Sequence, residues 1–166
     1  QVQSEVNQGT IFTLYLPKME PELVTKIALT PDTVYSKIKG TETIMIVEDE
    51  SFVSQPIQRA LQTMGYQVLL ANNPQEALVI AETYEEPIHL LLSDVVMPHM
   101  SGYELSKHFV KKFPSLKIIL MSGYANHRLI HSDLLPPNSH FISKPFTNQQ
   151  LHTKIRNLLD TASEVL

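Results

Sequence analysis

The chain contains no cysteine, which excludes disulfides, thiolate metal sites and a cysteine nucleophile and suits a reducing compartment. It also lacks any apolar run near the roughly 20 residues that a membrane-spanning helix needs, and its N-terminus lacks the charged-then-apolar pattern of a secretory signal. The expectation is a soluble, cytoplasmic chain without direct membrane contact. Charge of one sign is scarce too: the formal net charge is -4, which gives no electrostatic case for nucleic acid as a partner. No internal repeat is present. What remains, 166 residues of which 43% are hydrophobic, suits one packed domain with an appendage.

A shift in character divides the chain near residue 40. Thr10-Ile11-Phe12-Thr13-Leu14-Tyr15-Leu16 alternates as a strand with Phe12, Leu14 and Leu16 on one face, and Pro17 ends it because proline brings no ladder donor. A solitary strand cannot fold alone. Residues 18–42, with Pro21 and Pro31 and only scattered apolar positions, read as a linker with room for a short helix.

From Thr43 onward apolar strands alternate with helical patterns, the mark of a parallel sheet covered on both faces. Strands are expected near 43–47, 67–71, 88–93, 117–121 and 140–142. Val53, Ile57, Ala60, Leu61 and Met64 mark one buried helical face, Ala77, Ile80, Ala81 and Tyr84 a second, and Leu105, Phe109 and Phe113 a third. Leu151, Ile155, Leu158 and Ala162 give the last helix, capped by Thr147. A short helix is assigned between Asn126 and Asp133, broken by Pro136-Pro137. Pro56 falls inside the first helix, which is therefore expected to start late or to bend.

In an open sheet of this kind, sites form beyond the carboxyl ends of strands where strand order reverses. The chemically notable residues fall there: Glu48-Asp49 after Ile44-Met45-Ile46-Val47, Asp94 after Ile88-His89-Leu90-Leu91-Leu92-Ser93, Ser122 after Ile118-Ile119-Leu120-Met121, and Lys144 after Phe141-Ile142-Ser143. A random scatter would place some at strand starts or in helix middles. Three converging carboxylates repel one another and need a cation, and an all-oxygen set of few ligands suits Mg²⁺. Asp49 and Asp94 are the direct-ligand candidates, Glu48 acts through water, and the main-chain carbonyl of Val96 offers another oxygen. Ionised Asp94 is then a nucleophile toward phosphorus. Lys144 pairs with the phosphoryl oxygens as a point charge, and the Ser122 hydroxyl donates to them. As an isolated triplet, Glu48-Asp49-Glu50 would only cap the next helix; Asp94 and Lys144 at neighbouring strand ends favour the site.

Four segments, Ile46-Val47-Glu48-Asp49-Glu50, Ser93-Asp94-Val95-Val96-Met97-Pro98-His99-Met100-Ser101-Gly102, Met121-Ser122-Gly123-Tyr124 and Phe141-Ile142-Ser143-Lys144-Pro145-Phe146, resemble the receiver domain of two-component response regulators over roughly residues 43–160, within a domain drawn as 43–162. The resemblance implies a flavodoxin-like, doubly wound, five-stranded parallel sheet of strand order 2-1-3-4-5. It also implies Mg²⁺-dependent transfer of a phosphoryl group from a phosphohistidine to Asp94, switching through Ser122 and Phe141, and a cis Lys144–Pro145 bond. The implied partners are the dimerisation domain of a histidine kinase or a histidine phosphotransfer protein. A second resemblance covers Ser4-Glu5-Val6-Asn7-Gln8-Gly9-Thr10-Ile11-Phe12-Thr13-Leu14-Tyr15-Leu16-Pro17, which is similar to the closing strand of a sensor kinase ATP-binding domain. Residues 1–17 are then a remnant of that domain, 18–42 a linker, and the whole the C-terminal part of a hybrid histidine kinase whose parent can be membrane-anchored. The kinase's ATP-binding glycines and asparagine are absent, so this piece is a phosphoacceptor and the phosphotransferase activity is the parent's. An orphan strand also tends to pair with another edge, here giving weak self-association.

Two rival functions are weighed against this. A haloacid dehalogenase type phosphatase needs a second acid two residues after its nucleophile, and that position is Val96. A degenerate receiver acting only as an interaction module would have lost one of Asp49, Asp94 or Lys144, and all are present. His127 and His131 have helical metal-pair spacing without a third ligand and read as a solvated face. His108 among lysines reads as surface, and His99 as a loop histidine facing water. Val96 and Tyr124 should border Asp94 without orienting an attacking water, which implies a long-lived phosphorylated state.

Overall fold

The computed structural model describes residues 1–16, 40–123, 136 and 139–160, and the chain divides into two units, Gln1–Val34 and Tyr35–Leu166. In the first unit β1 (Val2–Glu5) and β2 (Gly9–Phe12) form an antiparallel hairpin with Val2 opposite Phe12 and Glu5 opposite Gly9. Asn7 (φ 65°) and Gly9 (φ 102°) supply the left-handed turn, which glycine and asparagine tolerate best. The expected strand over residues 10–16 is thus corrected on two counts. It has a partner within its own unit, and the strand ends at Phe12, with Gln1 and Thr13 exchanging main-chain bonds of 2.8 and 2.9 Å just beyond it. Leu14, Tyr15 and Leu16 continue it only as exposed, unpaired chain.

The second unit alternates strands and helices: β3 (Thr43–Val47), α1 (Ser51–Thr63), β4 (Gln67–Ala71), α2 (Pro74–Thr83), β5 (Leu90–Asp94), α3 (Gly102–Lys112), β6 (Lys117–Ser122), β7 (Ser139–Ser143) and α4 (Asn148–Asp160). The strands run parallel in the order β4-β3-β5-β6-β7. Counted within this unit that is 2-1-3-4-5, the flavodoxin-like arrangement. Alternation along each strand feeds two cores. Ile44, Ile46, Leu90, Leu92, Ile119 and Met121 pack with Ile57 and Leu61 of α1 and Leu151, Ile155 and Leu158 of α4. Met45, Val47, Leu91, Ile118 and Leu120 pack with Ala77 and Ala81 of α2 and Leu105 and Phe109 of α3. Burial on both faces is why these strands read as unbroken apolar runs.

Local chemistry sets the helix starts. Asn73 accepts from the Glu76 N–H at 2.8 Å while Glu76 reaches back to the Asn72 N–H, with Pro74 in the first turn. Ser101 and Glu104 form a reciprocal capping box on α3, and Thr147 and Gln150 do the same before α4. The expected late start of the first helix does not occur: α1 begins at Ser51 and continues through Pro56. Pro56 lies on the exposed face, so the helix gives up one hydrogen bond there without disturbing the buried Ile57 and Leu61. β5 begins at Leu90 rather than at residue 88. The expected helix over 126–133, and Ala162, lie outside the described residues.

At the amino ends of the strands, Arg156 of α4 holds Glu42 in front of β3, its Nη1 lying 2.9 and 3.0 Å from the two carboxylate oxygens and 3.4 Å from the Tyr66 hydroxyl. Asp160 takes the other guanidinium nitrogen. Burial would push the Glu42 carboxyl up, but main-chain amides and Arg156 outweigh it and hold the group below its ordinary range. A depressed carboxylate stabilises the fold above its unfolded-state pKa, and that contribution disappears as pH falls through the folded-state value. Arg156→Ala should therefore lower the unfolding free energy by about 1–2 kcal/mol near neutrality, measured by urea denaturation. The difference from wild type should shrink as the pH is taken through the acid range.

Candidate functional site

Parallel register brings four chain segments to one edge of the sheet. Val47 is paired with Ala71 and Ser93, Asp94 with Met121, and Ser122 with Ser143. Glu48, Asp94, Ser122 and Lys144 therefore emerge side by side from β3, β5, β6 and β7. Sheet order reverses between β3 and its neighbours β4 and β5, which opens the crevice above β3 and β5.

One carboxylate oxygen each from Glu48, Asp49 and Asp94 lies within 4.8 Å of the others. Glu48 is fully buried, Asp94 half-buried and Asp49 exposed. The Lys144 ammonium donates to Glu48 Oε2 at 2.6 Å and to Asp94 Oδ2 at 3.1 Å. Asp94 Oδ1 accepts from the Val95 N–H at 2.7 Å. No ion pair to Asp49 forms among the described residues. Burial pushes the Glu48 carboxyl up, and the Asp94 charge adds to this, against the opposing pull of Lys144. Burial would also pull Lys144 down, but its bonds to Glu48 and Asp94 reverse the sign and keep it an ammonium. Three acidic side chains with one cation form an electron-rich, all-oxygen cluster, open to water at Asp49, which fits a hard divalent ion.

The expected residues are thus largely brought together. Ser122 is half-buried at the end of β6, and its carbonyl accepts from the Lys144 N–H at 2.7 Å. The Lys144–Pro145 bond is cis, as the family resemblance implied. Val96, two residues after Asp94, is 70% exposed, and its apolar side chain offers the crevice no ligand atom. Phe141 is half-buried against the α2–α3 core. The capping alternative for the acidic triplet is not realised: Glu50 occupies the N-cap of α1 without a side-chain cap bond, and the first turn holds no acid. His99 is exposed at φ 69° and His108 is exposed on α3. Tyr124, His127 and His131 lie outside the described residues.

Sequence reasoning missed two features. The sequence pattern assigns Lys144 to phosphoryl oxygens, whereas in the fold it binds Glu48 and Asp94 directly. Ser93, a polar residue at the end of an apolar strand, is fully buried, and its hydroxyl donates to the Asp94 carbonyl at 2.9 Å. A lone hydroxyl interrupting Leu90-Leu91-Leu92 was the available signal.

Comparison with known proteins agrees with this geometry. The response regulator receiver domain family matches residues 44–156. The sensor kinase CckA of Brucella abortus is 35% identical over 164 residues, covering 95% of this chain and 17% of its own length. The chain thus spans about a sixth of that relative. The response regulator receiver protein CpdR of the same organism is 34% identical over 119 residues, covering 72% of this chain and 98% of its own. Among solved structures, the receiver domain from hybrid histidine kinase CckA superposes with a TM-score of 0.55 at 31% identity, covering 70% of this chain and 98% of that one. A CheY-like receiver from Methanospirillum hungatei reaches 0.64 at 29% identity, covering 73% and 95%.

Removing one partner of a buried charge pair leaves the other uncompensated, which ordinarily costs about 3–5 kcal/mol. Lys144 is partly solvated, with 21% of its side chain exposed. In Mg²⁺-free solution Lys144→Ala should therefore destabilise the fold by about 2 kcal/mol. Adding Glu48→Gln to that variant should recover most of the loss, and a double-mutant cycle by chemical denaturation reads the coupling directly.

Proposed function

The chain belongs to the response regulator receiver domain family and is a receiver of two-component signalling; on that premise we propose that Asp94 is its phosphoacceptor, that Glu48, Asp49, Asp94 and the Val96 carbonyl hold Mg²⁺, and that Lys144 and Ser122 complete the site. The observation that carries this reading is the bridge of Lys144 between Glu48 at 2.6 Å and Asp94 at 3.1 Å, with Asp49 alongside. A carboxylate oxygen of Asp94 attacks phosphorus, an acyl phosphate bond forms, and the phosphorus–nitrogen bond of the donor phosphohistidine breaks with its electron pair going to the imidazole. The Mg²⁺ that Glu48, Asp49, Asp94 and the Val96 carbonyl would hold would supply positive charge to offset that on the transferred oxygens. Lys144 moves its hydrogen bonds from carboxylate to phosphoryl oxygens, and the Ser122 hydroxyl donates to the same group. Ser122 and the half-buried Phe141 form the switch that carries the change to the α2–α3 side of the sheet.

Three observations support an origin in a hybrid histidine kinase. The similarity to a sensor kinase extends over 95% of the chain, a receiver follows the N-terminal segment, and residues 1–16 hold a hairpin with exposed apolar side chains. In this reading residues 1–17 are the terminal piece of an ATP-binding domain, 18–42 a linker and 43–162 the receiver. The partners are a kinase dimerisation domain or a histidine phosphotransfer protein, with nucleic acid playing no part. Among the described residues no helix is long and apolar enough to cross a membrane, which accords with a cytoplasmic receiver whose parent supplies any anchor.

Asp49→Asn should abolish Mg²⁺-dependent phosphorylation of Asp94 while leaving the fold intact, since it removes a solvent-facing ligand outside the core. Equal labelling of variant and wild type in Mg²⁺ by a phosphorylated histidine donor would refute the ligand assignment. The exposed Val96 gives an attacking water no polar side-chain partner, so the acyl phosphate should be comparatively long-lived. Val96→Asn, by providing an amide, should speed dephosphorylation and leave phosphorylation by a small donor nearly unchanged; parallel changes in both rates would refute this.

A further inference from the structure

Serine at the end of an apolar strand is an unfavourable choice unless its hydroxyl is bonded, because burying an unsatisfied hydroxyl costs more than burying a methyl group gains. Ser93 is fully buried and lies opposite Val47 and Leu120 in the ladders. Its hydroxyl donates to the Asp94 carbonyl at 2.9 Å. That carbonyl is one end of the Asp94–Val95 peptide, and the other end is equally engaged. The Val95 N–H points to the Met121 carbonyl at 3.0 Å and to Asp94 Oδ1 at 2.7 Å. A single peptide plane therefore links Ser93 to the carboxylate of the neighbouring aspartate.

Gly102 closes the arrangement from behind. A Cβ at that position would lie 1.9 Å from the Asp94 carbonyl oxygen and 2.9 Å from its carbon, main-chain atoms that cannot give way, and 2.6 Å from the Ser93 hydroxyl. The Gly102 N–H in turn donates to the Val95 carbonyl at 3.1 Å. The first residue of α3 thus sits directly on the peptide that orients the carboxylate.

We infer that Ser93 is a positioning residue for phosphoryl acceptance: its hydroxyl, backed by Gly102, fixes the Asp94–Val95 peptide so that the Val95 N–H occupies Oδ1 of Asp94 and Oδ2 faces Lys144. The inference rests on Asp94 being the acceptor. If the peptide rotates, the N–H leaves Oδ1, the carboxylate turns about its own bond, and the oxygen presented to the donor is no longer set. Loss of orientation lowers the rate of the transfer step without removing any group that binds Mg²⁺ or donor.

The test compares Ser93→Ala, which keeps a small side chain but loses the hydroxyl, with Ser93→Thr, which retains it. With a small phosphoramidate as donor, Ser93→Ala should lower the saturating phosphorylation rate about tenfold, with half-saturating donor and Mg²⁺ changed by less than about twofold. Ser93→Thr should recover most of the rate. In the same proteins, without donor, the Val95 amide proton should move upfield in Ser93→Ala as its hydrogen bond weakens, and return in Ser93→Thr. A wild-type rate with an unmoved Val95 resonance in Ser93→Ala would overturn the inference, as would a Thr variant as slow as the Ala variant. If even the wild-type chain accepts no phosphoryl group, the proposed function fails instead, and the Val95 resonances alone decide the positioning role.

Discussion

One ammonium between two carboxylates governs the active edge of this protein. Glu48 follows the interior strand β3 and is fully buried, so its charge could not stay there without a partner. Lys144 supplies it at 2.6 Å and reaches Asp94 at 3.1 Å as well. To put that cation in place, β7 must lie in register with β6, and β6 with β5. The sheet order and the two apolar cores together deliver one charge to one point. Under the proposed function, the same cation that balances these carboxylates is the one that would turn to phosphoryl oxygens.

Orientation is handled by a second set of contacts, all main-chain or nearly so. Val95 donates to Oδ1 of Asp94, Ser93 holds the adjoining carbonyl, and α3 begins at a glycine pressed against it. Such contacts are short and local, and they act on a strand end already fixed by ladders on both sides. A loop carrying the same aspartate would lose that precision. The crevice thus joins a rigidly held Asp94 to an exposed Asp49 and an exposed Val96.

The N-terminal unit obeys a different logic. A two-stranded hairpin has little apolar surface to bury and two open edges, and Val2, Ile11, Phe12 and Leu14 are all exposed. Burial within so small a hairpin contributes little to its stability, and its exposed apolar side chains are what the proposed origin in a larger sheet would leave. The receiver unit shows no comparable deficit, since its five strands are covered on both faces.

How much of this was legible in advance depends on whether the controlling interaction is local. Period and apolar runs specify β3 to β7 and the four described helices of the receiver because burial on one or two faces writes itself directly into the sequence. Asn73, Ser101 and Thr147 mark helix starts for the same reason, each acting within a few residues. The site residues were legible because each ends an apolar strand, although a capping triplet would read the same until Asp94 and Lys144 were placed beside it. The bond between Glu48 and Lys144, 96 positions apart, was beyond local pattern, as was the use of Ser93 and Gly102 to aim a peptide plane. The hairpin partner of Gly9–Phe12 was missed because Val2–Glu5 carries too weak an alternation to announce a strand. Sequence by itself determined the elements, their faces and the chemical inventory of the crevice, since those follow from neighbours along the chain. Only tertiary structure decided which carboxylate Lys144 neutralises and which oxygen of Asp94 faces it, because distances between strand ends exist only once the sheet has formed.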